Sequence, residues 1–312
     1  MSDIITITPN PAVDVSTVVE KIVPVTKLRG SSQKRDPGGG GINVARVISR
    51  FGGDVTALYP VGGTTGALLK RLLEHEGIKS LTWTTSEETR EDFFVTESAT
   101  GQPYRFILPG PTLSELEWQA CLDLLANLDP FPRFVIGSGS LPHGVPADFY
   151  ARIAGIAQAH GAQMVLDTSS PALSAAVSAG VDLVKPSLRE MRELAGRELA
   201  DASAWEAAAR ALVATRKVAM IALTMGHLGA VLVTRDRVLR AQPLPVTPVS
   251  AVGAGDSFLG VLIHQLVSGA TLDDAFRWAV AAGAAALLHA GTALCDPADV
   301  RRLAAEVRLQ AA

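Results

Sequence analysis

Val252-Gly253-Ala254-Gly255-Asp256-Ser257-Phe258 joins two kinds of sequence. Before it, residues 244–249 form a proline-punctuated, strand-like run. After it, Phe258, Leu259, Val261, Leu262 and Leu266 recur with a helical period. A glycine-rich turn therefore delivers a carboxylate, Asp256, onto the first turn of a helix. Helix starts leave backbone N–H groups unpaired and carry positive partial charge, so they favour anions. An aspartate beside such amides can take a proton from an alcohol while the amides hold a charged oxygen, which suits phosphoryl transfer. The plainer reading, Asp256 as a helix cap, stays open on this stretch alone.

The chain that leads to this turn alternates regularly. The pattern predicts helices at 113–128, 146–160, 170–178, 189–195 and 202–214, interleaved with strands at 134–137, 164–167, 183–185, 218–224 and 230–234. These strands are continuous apolar runs, as in a parallel sheet buried on both faces. The expectation is an α/β fold: a doubly wound, mostly parallel central sheet flanked by helices. Beyond the turn the sequence reads as helical at 256–267, 272–289 and 297–309.

The N-terminal third departs from that rhythm. Residues 3–8 alternate as a strand, Pro9-Asn10-Pro11 ends it, and Asp14 follows at its exit, where such sheets place ligand groups. Residues 15–35 are β-branched and proline-broken. Asp36-Pro37 then introduces Gly38, Gly39, Gly40 and Gly41, followed by an amphipathic helix at 42–51 with Asn43 in its first turn. The glycine run lets backbone approach a ligand closely, and Asn43 could bond a hydroxyl. No Lys-Ser/Thr pair follows the glycines, so this is not a Walker loop. A strand at 55–61 and a helix at 66–76 come next, then short strands at 81–85, 93–97 and 104–108. With 15–35 these make a small sheet, expected as a lid or dimer surface built from about residues 12–36 and 81–109 of one domain spanning 1–312.

Other groups fall at strand ends. Ser138-Gly139-Ser140-Leu141-Pro142 follows one strand. Lys185-Pro186-Ser187-Leu188-Arg189-Glu190 follows another and offers a carboxylate that could hold Mg²⁺ through water. Thr224-Met225-Gly226-His227-Leu228-Gly229 links two strands and could line a phosphate. Lys27, Arg90 and Arg105 all lie in the small-sheet segments. If they converge, they would bind a phosphate. Composition bounds the rest. The 312 residues are 48% hydrophobic and 19% charged with net charge −3, so no broad nucleic-acid footprint is expected. Cys121 and Cys295 read as reduced thiols, and the six histidines lack metal-ligand spacing. The start MSDIITITPN has no signal-peptide pattern, and the apolar runs at 218–233 and 278–288 fall short of a membrane span. The expectation is a cytoplasmic protein with no membrane partner. A dinucleotide-binding oxidoreductase fails, because no G-x-G-x-x-G follows the first strand.

Laid out in order, the chain resembles the ribokinase-like (PfkB) carbohydrate kinases nearly end to end. The diagnostic stretches are Gly38-Gly39-Gly40-Gly41-Ile42-Asn43-Val44-Ala45-Arg46 and Gly253-Ala254-Gly255-Asp256-Ser257. Within the family it looks most like the 6-phosphofructokinase branch, since the 1-phosphofructokinase branch usually has a lysine where this chain has Gly40. The resemblance implies ATP-dependent phosphorylation of fructose 6-phosphate to fructose 1,6-bisphosphate, a glycolytic step. Tagatose-6-phosphate kinase, 1-phosphofructokinase and a catalytically silent sugar-phosphate sensor are the alternatives. It also implies roles. Asp256 would be the general base, and Gly253, Ala254 and Gly255 the anion hole. Asp14, Gly38, Gly39, Asn43 and Ser138 would hold the sugar, and Lys27, Arg90 and Arg105 its phosphate. Lys185, Ser187, Thr224, Gly226, Gly229, Gly283 and Ala284 would line ATP, with Glu190 organising Mg²⁺. Family members often bind K⁺ through backbone carbonyls, and the matching positions are Ser250, Val252, Ala286, His289 and Gly291. The chain departs from the family's Asn-x-x-Glu at Ser187, from its usual polar pair at His227-Leu228, from an expected serine at Ala284 and from a basic residue at Ala293. A homodimer through the small sheet is expected, because its edges need covering.

Overall fold

The computed structural model describes residues 2–311. In chain order the elements are β1 (Ile4–Ile7), β2 (Ala12–Val19), β3 (Lys34–Gly38), α1 (Gly40–Arg50), β4 (Val55–Val61), α2 (Gly63–His75), β5 (Lys79–Thr84), β6 (Arg90–Glu97), β7 (Pro103–Phe106), α3 (Glu115–Ala126), β8 (Phe134–Ser138) and α4 (Phe149–Ala159). There follow β9 (Gln163–Asp167), α5 (Ala172–Ala179), β10 (Val181–Val184), α6 (Leu188–Ala195), α7 (Ala202–Ala214), β11 (Val218–Thr224), β12 (Ala230–Thr234), β13 (Val238–Ala241), α8 (Ala254–Val267), α9 (Leu272–Ala286), α10 (Pro297–Ala304) and β14 (Leu309–Ala311).

A ten-stranded sheet runs β14-β13-β12-β11-β10-β9-β8-β1-β4-β5. It is parallel from β5 to β11 and antiparallel from there to β14. Alternate residues of one strand enter two separate cores, which is why these strands read as unbroken apolar runs. Ile4, Ala57, Ile136 and Val165 pack with α1, α2, α8, α9 and α10. Ile5, Leu58, Val135 and Met164 pack with α3 through α7. From β1 the chain builds outward to β4 and β5, then returns to β8 and builds the other way. The reversal falls between β1 and β8, and doubly wound sheets bind ligands beyond the carboxyl ends at such a point. Among the described residues, no helix is long and apolar enough to cross a membrane.

A second sheet runs β3-β2-β6-β7. Its membership corrects one expectation. Residues 81–85 were expected there, but β5 pairs in parallel with β4 in the large sheet, from Thr56↔Lys79 to Val61↔Thr84. It follows α2 as the return of an ordinary crossover and buries Trp83. The strand-like run at 244–249 is also corrected: it forms no strand, because Pro243, Pro245 and Pro248 donate no ladder bonds. Two short strands, β13 and β14, were not anticipated. The last helix, expected over 297–309, stops at Ala304, and β14 begins at Leu309.

The layer that carries α1 and α8 is tightly packed. A Cβ on Gly260 would lie 2.8 Å from the Cβ of Val47, closer than real contacts allow. Gly260→Val should therefore destabilise the fold by about 1–3 kcal/mol through overpacking. Urea denaturation checks this, and unchanged stability would contradict the tight crossing.

Candidate active site

The start of α8 is built for exposure of its amides. Gly253 takes a left-handed conformation (φ 74°), and a Cβ there would meet Leu294 at 2.7 Å, so only glycine fits. The first intrahelical bond runs from the Ser257 N–H to the Gly253 carbonyl at 2.8 Å. The amides of Ala254, Gly255 and Asp256 precede it, and no side chain caps them. Asp256 is thus not a cap. Its Oδ2 accepts a bond from Asn43 Nδ2 at 2.9 Å.

Asn43 is placed by the glycine run. A Cβ on Gly40 would sit 2.3 Å from Ser138 Oγ, and one on Gly38 would sit 2.3 Å from Asp14 Oδ1. Gly39, at φ 112°, packs against Thr8. The glycines let the chain press against the ends of β1, β2 and β8, which gathers Asp14, Asn43 and Ser138 in the crevice. The close approach they permit here is to the protein's own strand ends.

Burial, reinforced by the nearby Asp167 carboxylate, raises the Asp256 pKa to about 6, against the pull of the Asn43 bond, Lys185 and Arg105. Lys185 Nζ lies 3.1 Å from Asp167 and would be 3.3 Å from any Cβ on residue 255. Burial opposes the Lys185 charge, but Asp167 outweighs it and holds the ammonium above its usual range. Asp14 stands directly between Asp36 and Asp92 in the small-sheet register. Burial first, then those two carboxylates, raise it to about 7, while Arg46 and Arg90 pull it down.

The expected phosphate cations are brought together only in part. Arg90 donates to the carbonyls of Leu108 (3.0 Å) and Asn10 (3.2 Å) and lies 3.6 Å from Asp92. Arg105 lies on the neighbouring strand, exposed, with its guanidinium 5.1 Å over the Phe94 ring. Lys27 sits in the exposed segment between β2 and β3 and forms no ion pair among the described residues.

On the other side of α8, Ser187 and Glu190 form a capping box. Glu190 Oε2 accepts from the Ser187 N–H and Oγ, both at 2.8 Å, while Oε1 lies 3.7 Å from Arg189. Thr224 adjoins Ser187 at the strand ends, its N–H donating to the Pro186 carbonyl at 3.0 Å. Gly226 opens and Gly229 closes the short turn behind it. Gly283, with Ala284 beside it, lies where α9 crosses α8, within 3.6 Å of the Ala254 carbonyl if given a Cβ. Ser250 Oγ donates to the Gly291 carbonyl (3.0 Å) and accepts from the Val252 N–H (3.2 Å), uniting three of the expected K⁺ positions. The Ala286 carbonyl accepts from the His289 N–H at 3.3 Å, and the His289 ring turns to Asp299, 3.3 Å away. Among the described residues, no cluster of three or more His, Cys, Asp or Glu side chains could hold a metal.

A family model described as "pfkB family carbohydrate kinase" matches residues 7–299. The chain belongs to the pfkB family of carbohydrate kinases. This kinase is 44% identical over 306 residues to the ATP-dependent 6-phosphofructokinase isozyme 2 of Mycobacterium tuberculosis, covering 97% of this chain and 90% of that protein. It is similar to phosphofructokinase-2 from Escherichia coli, solved with potassium (TM-score 0.93, 37% identity) and with fructose-6-phosphate (TM-score 0.92, 36% identity). Each match covers 98% of this chain and 99% of the other. It is also 35% identical over 308 residues to the 1-phosphofructokinase of Xanthomonas campestris, covering 97% of this chain and 96% of that protein.

Sequence reasoning about this kinase missed Asp36, Arg46, Asp92 and Asp167 as members of the site. Arg46 was legible only as part of a motif, although its spacing of three from Asn43 puts both on one helix face. Asp167 ends a strand, the position that singled out Lys185, and could have been found the same way.

The raised Asp14 pKa has a stability consequence with a defined sign. The folded state holds the Asp14 proton up to about 7, and the unfolded chain releases it near 3.8. Stability from this group is therefore complete below the lower value and is lost as pH rises through the upper one. Asp14→Asn should be more stable than wild type at pH 8, with the advantage shrinking as pH falls toward 4. Thermal denaturation across that range tests it, and a pH-independent difference would refute it.

Proposed function

We propose that this kinase transfers the γ-phosphoryl group of ATP to the free primary hydroxyl of fructose 6-phosphate, giving fructose 1,6-bisphosphate. The observation that carries the reading is a carboxylate, Asp256, beside the uncapped amides of its own helix, with Asn43 bonded to it. Phosphoryl transfer needs positioning and charge stabilisation more than covalent chemistry from the protein. Asp256 takes the proton of the attacking hydroxyl. The amides of Gly253, Ala254 and Gly255 hold the charge on the phosphoryl oxygens. Asp14, Asn43 and Ser138 orient the sugar, with Gly38 and Gly39 giving it room, and Arg90, Arg105 and Lys27 meet its phosphate. On the nucleotide side stand Lys185, Ser187, Thr224, Gly226, Gly229, Gly283 and Ala284. A divalent cation such as Mg²⁺, when bound, neutralises phosphate charge, and Glu190 Oε1, free of the capping bonds, suits a water-mediated contact. The oxygens of Ser250, Val252, Ala286, His289 and Gly291 suit K⁺, which takes backbone carbonyls in place of its hydration shell.

Gly40 favours fructose 6-phosphate over fructose 1-phosphate. Any side chain at 40 starts 2.3 Å from Ser138 Oγ, so a lysine there would displace a sugar-binding hydroxyl. A coupled assay over fructose 6-phosphate, fructose 1-phosphate and tagatose 6-phosphate tests the choice. Higher kcat/KM with either of the other two would overturn it. Asp256→Asn should lower kcat about 10²–10⁴-fold with sugar-phosphate binding intact. ADP release that survives the substitution would remove Asp256 as the base. The wild-type kcat/KM should fall on acidification with a midpoint near the raised Asp256 pKa, because the base of the free enzyme must be ionised.

A second copy of this chain is proposed to cover the small sheet. Leu28, Tyr104, Phe106, Ile107 and Leu108 are exposed there, and β7 leaves an open edge. Light scattering should give twice the mass of one chain, and a value near 32.6 kDa would contradict the dimer.

A further inference from the structure

We infer that Arg46 is a positioning residue for the catalytic base, acting through the Asn43 side chain and held in place by Glu76. The inference rests on Asp256 being the base, as proposed above. Arg46 is only 3% exposed. A buried guanidinium needs its N–H groups met, and here the partners are specific. Nε and Nη2 donate to the two carboxylate oxygens of Glu76, each at 2.7 Å. Nη1 donates to the Pro37 carbonyl at 3.0 Å and to Asn43 Oδ1 at 3.4 Å. Nη2 also lies 4.0 Å from Asp36 Oδ1, whose other oxygen accepts from Thr292 Oγ1 at 2.9 Å.

An asparagine amide has two ends, and its network decides which way it points. With Oδ1 facing Arg46, the Asn43 NH₂ faces Asp256 Oδ2. The reverse orientation would set donor against donor at Arg46 and amide oxygen against carboxylate at Asp256. A cation with no bond to Asp256 therefore selects the end of Asn43 that the base meets. The Glu76 fork fixes the guanidinium plane, so the selection depends on geometry as well as charge.

The consequence is a change in the base. Asp256 is faced by Asp167 from β9, Lys185 from the end of β10, Arg105 from β7 and Asn43 from α1. Burial and Asp167 favour its protonated form, and the Asn43 donor opposes them. An Asn43 side chain free to turn donates less, so the acid limb of kcat moves to higher pH.

The test is kcat and KM from pH 5 to 9 for wild type, Arg46→Lys, Glu76→Gln, Asn43→Ala and the Arg46→Lys/Asn43→Ala double variant. Arg46→Lys keeps the charge and loses the fork. Glu76→Gln changes a side chain 28% exposed at the rim, and so gives a variant that folds even if Arg46→Lys does not. Each single change at 46 or 76 should move the acid limb up by about half to one unit, which is about a 3- to 10-fold loss of kcat below the midpoint, recovering at high pH. KM for ATP should stay within about twofold, and the double variant should be no slower than Asn43→Ala alone, as for residues acting in series. A loss equal at every pH, or losses that multiply in the double variant, would overturn the inference and leave Arg46 a purely structural residue. A wild type inactive on every sugar phosphate would instead overturn the functional reading, and this inference with it.

Discussion

The hydrogen bond from Asn43 to Asp256 joins helix starts 213 residues apart. Much of the architecture serves that one contact. Both helices lie in the same layer against the large sheet, and Gly260 lets α8 approach α1 at Val47. The glycines before α1 let it begin against the ends of β1 and β8. Gly253 supplies the left-handed turn that starts α8 with its amides free. Each of these bears on how the two side chains meet, and a hydrogen bond has a narrow range of distance.

Asp14 and Asp256 are both raised for the same first reason, burial, yet their surroundings differ. Burial and the Asp167 carboxylate raise Asp256 to about 6, and the Asn43 bond, then Lys185, temper that rise. Asp14 stands in a row with Asp36 and Asp92 and rises to about 7. The proposed roles fit this difference, since a base must shed its proton near the working pH, whereas a group holding hydroxyls can do so protonated or ionised. Arg46 and Arg90 are what keep the aspartate row tolerable, and both are spent on internal contacts. Arg105, exposed above Phe94, and Lys27, exposed between β2 and β3, form no ion pair among the described residues.

The sheet was legible because parallel strands buried on both faces leave continuous apolar runs, and β4, β11 and β12 fall where that pattern puts them. The pattern says nothing of which sheet a strand joins, so β5 was assigned to the small sheet. It fails for strands as short as β13 and β14, whose pairing is decided by a distant neighbour. The glycine run was legible as a close approach, but its contacts with Ser138, Asp14 and Thr8 were not. The burial of Arg46 was not legible, for a different reason. A charged residue in an amphipathic helix normally marks the solvated face, and only the tertiary position of Glu76 shows that this one is buried.

Uncapped helix starts are not themselves diagnostic. The first amides of α3, α6, α7, α9 and α10 are met by Ser114, Ser187, Asp201, Thr271 and Asp296, but α2, α4 and α5 also lack a side-chain cap. α2 also starts on glycine, with Gly62 as its N-cap, so what sets α1 and α8 apart is that they converge through Asn43 and Asp256. The departure at Ser187 makes physical sense on the same terms. Serine at that position completes a capping box that satisfies α6 internally and orients Glu190 beside the strand end at Thr224. One helix start is closed so that its carboxylate stays in place, and another is left open so that its amides are free. Capping and the proposed catalysis would draw on the same kind of unpaired N–H groups, met by a side chain at Ser187 and left free at Gly253.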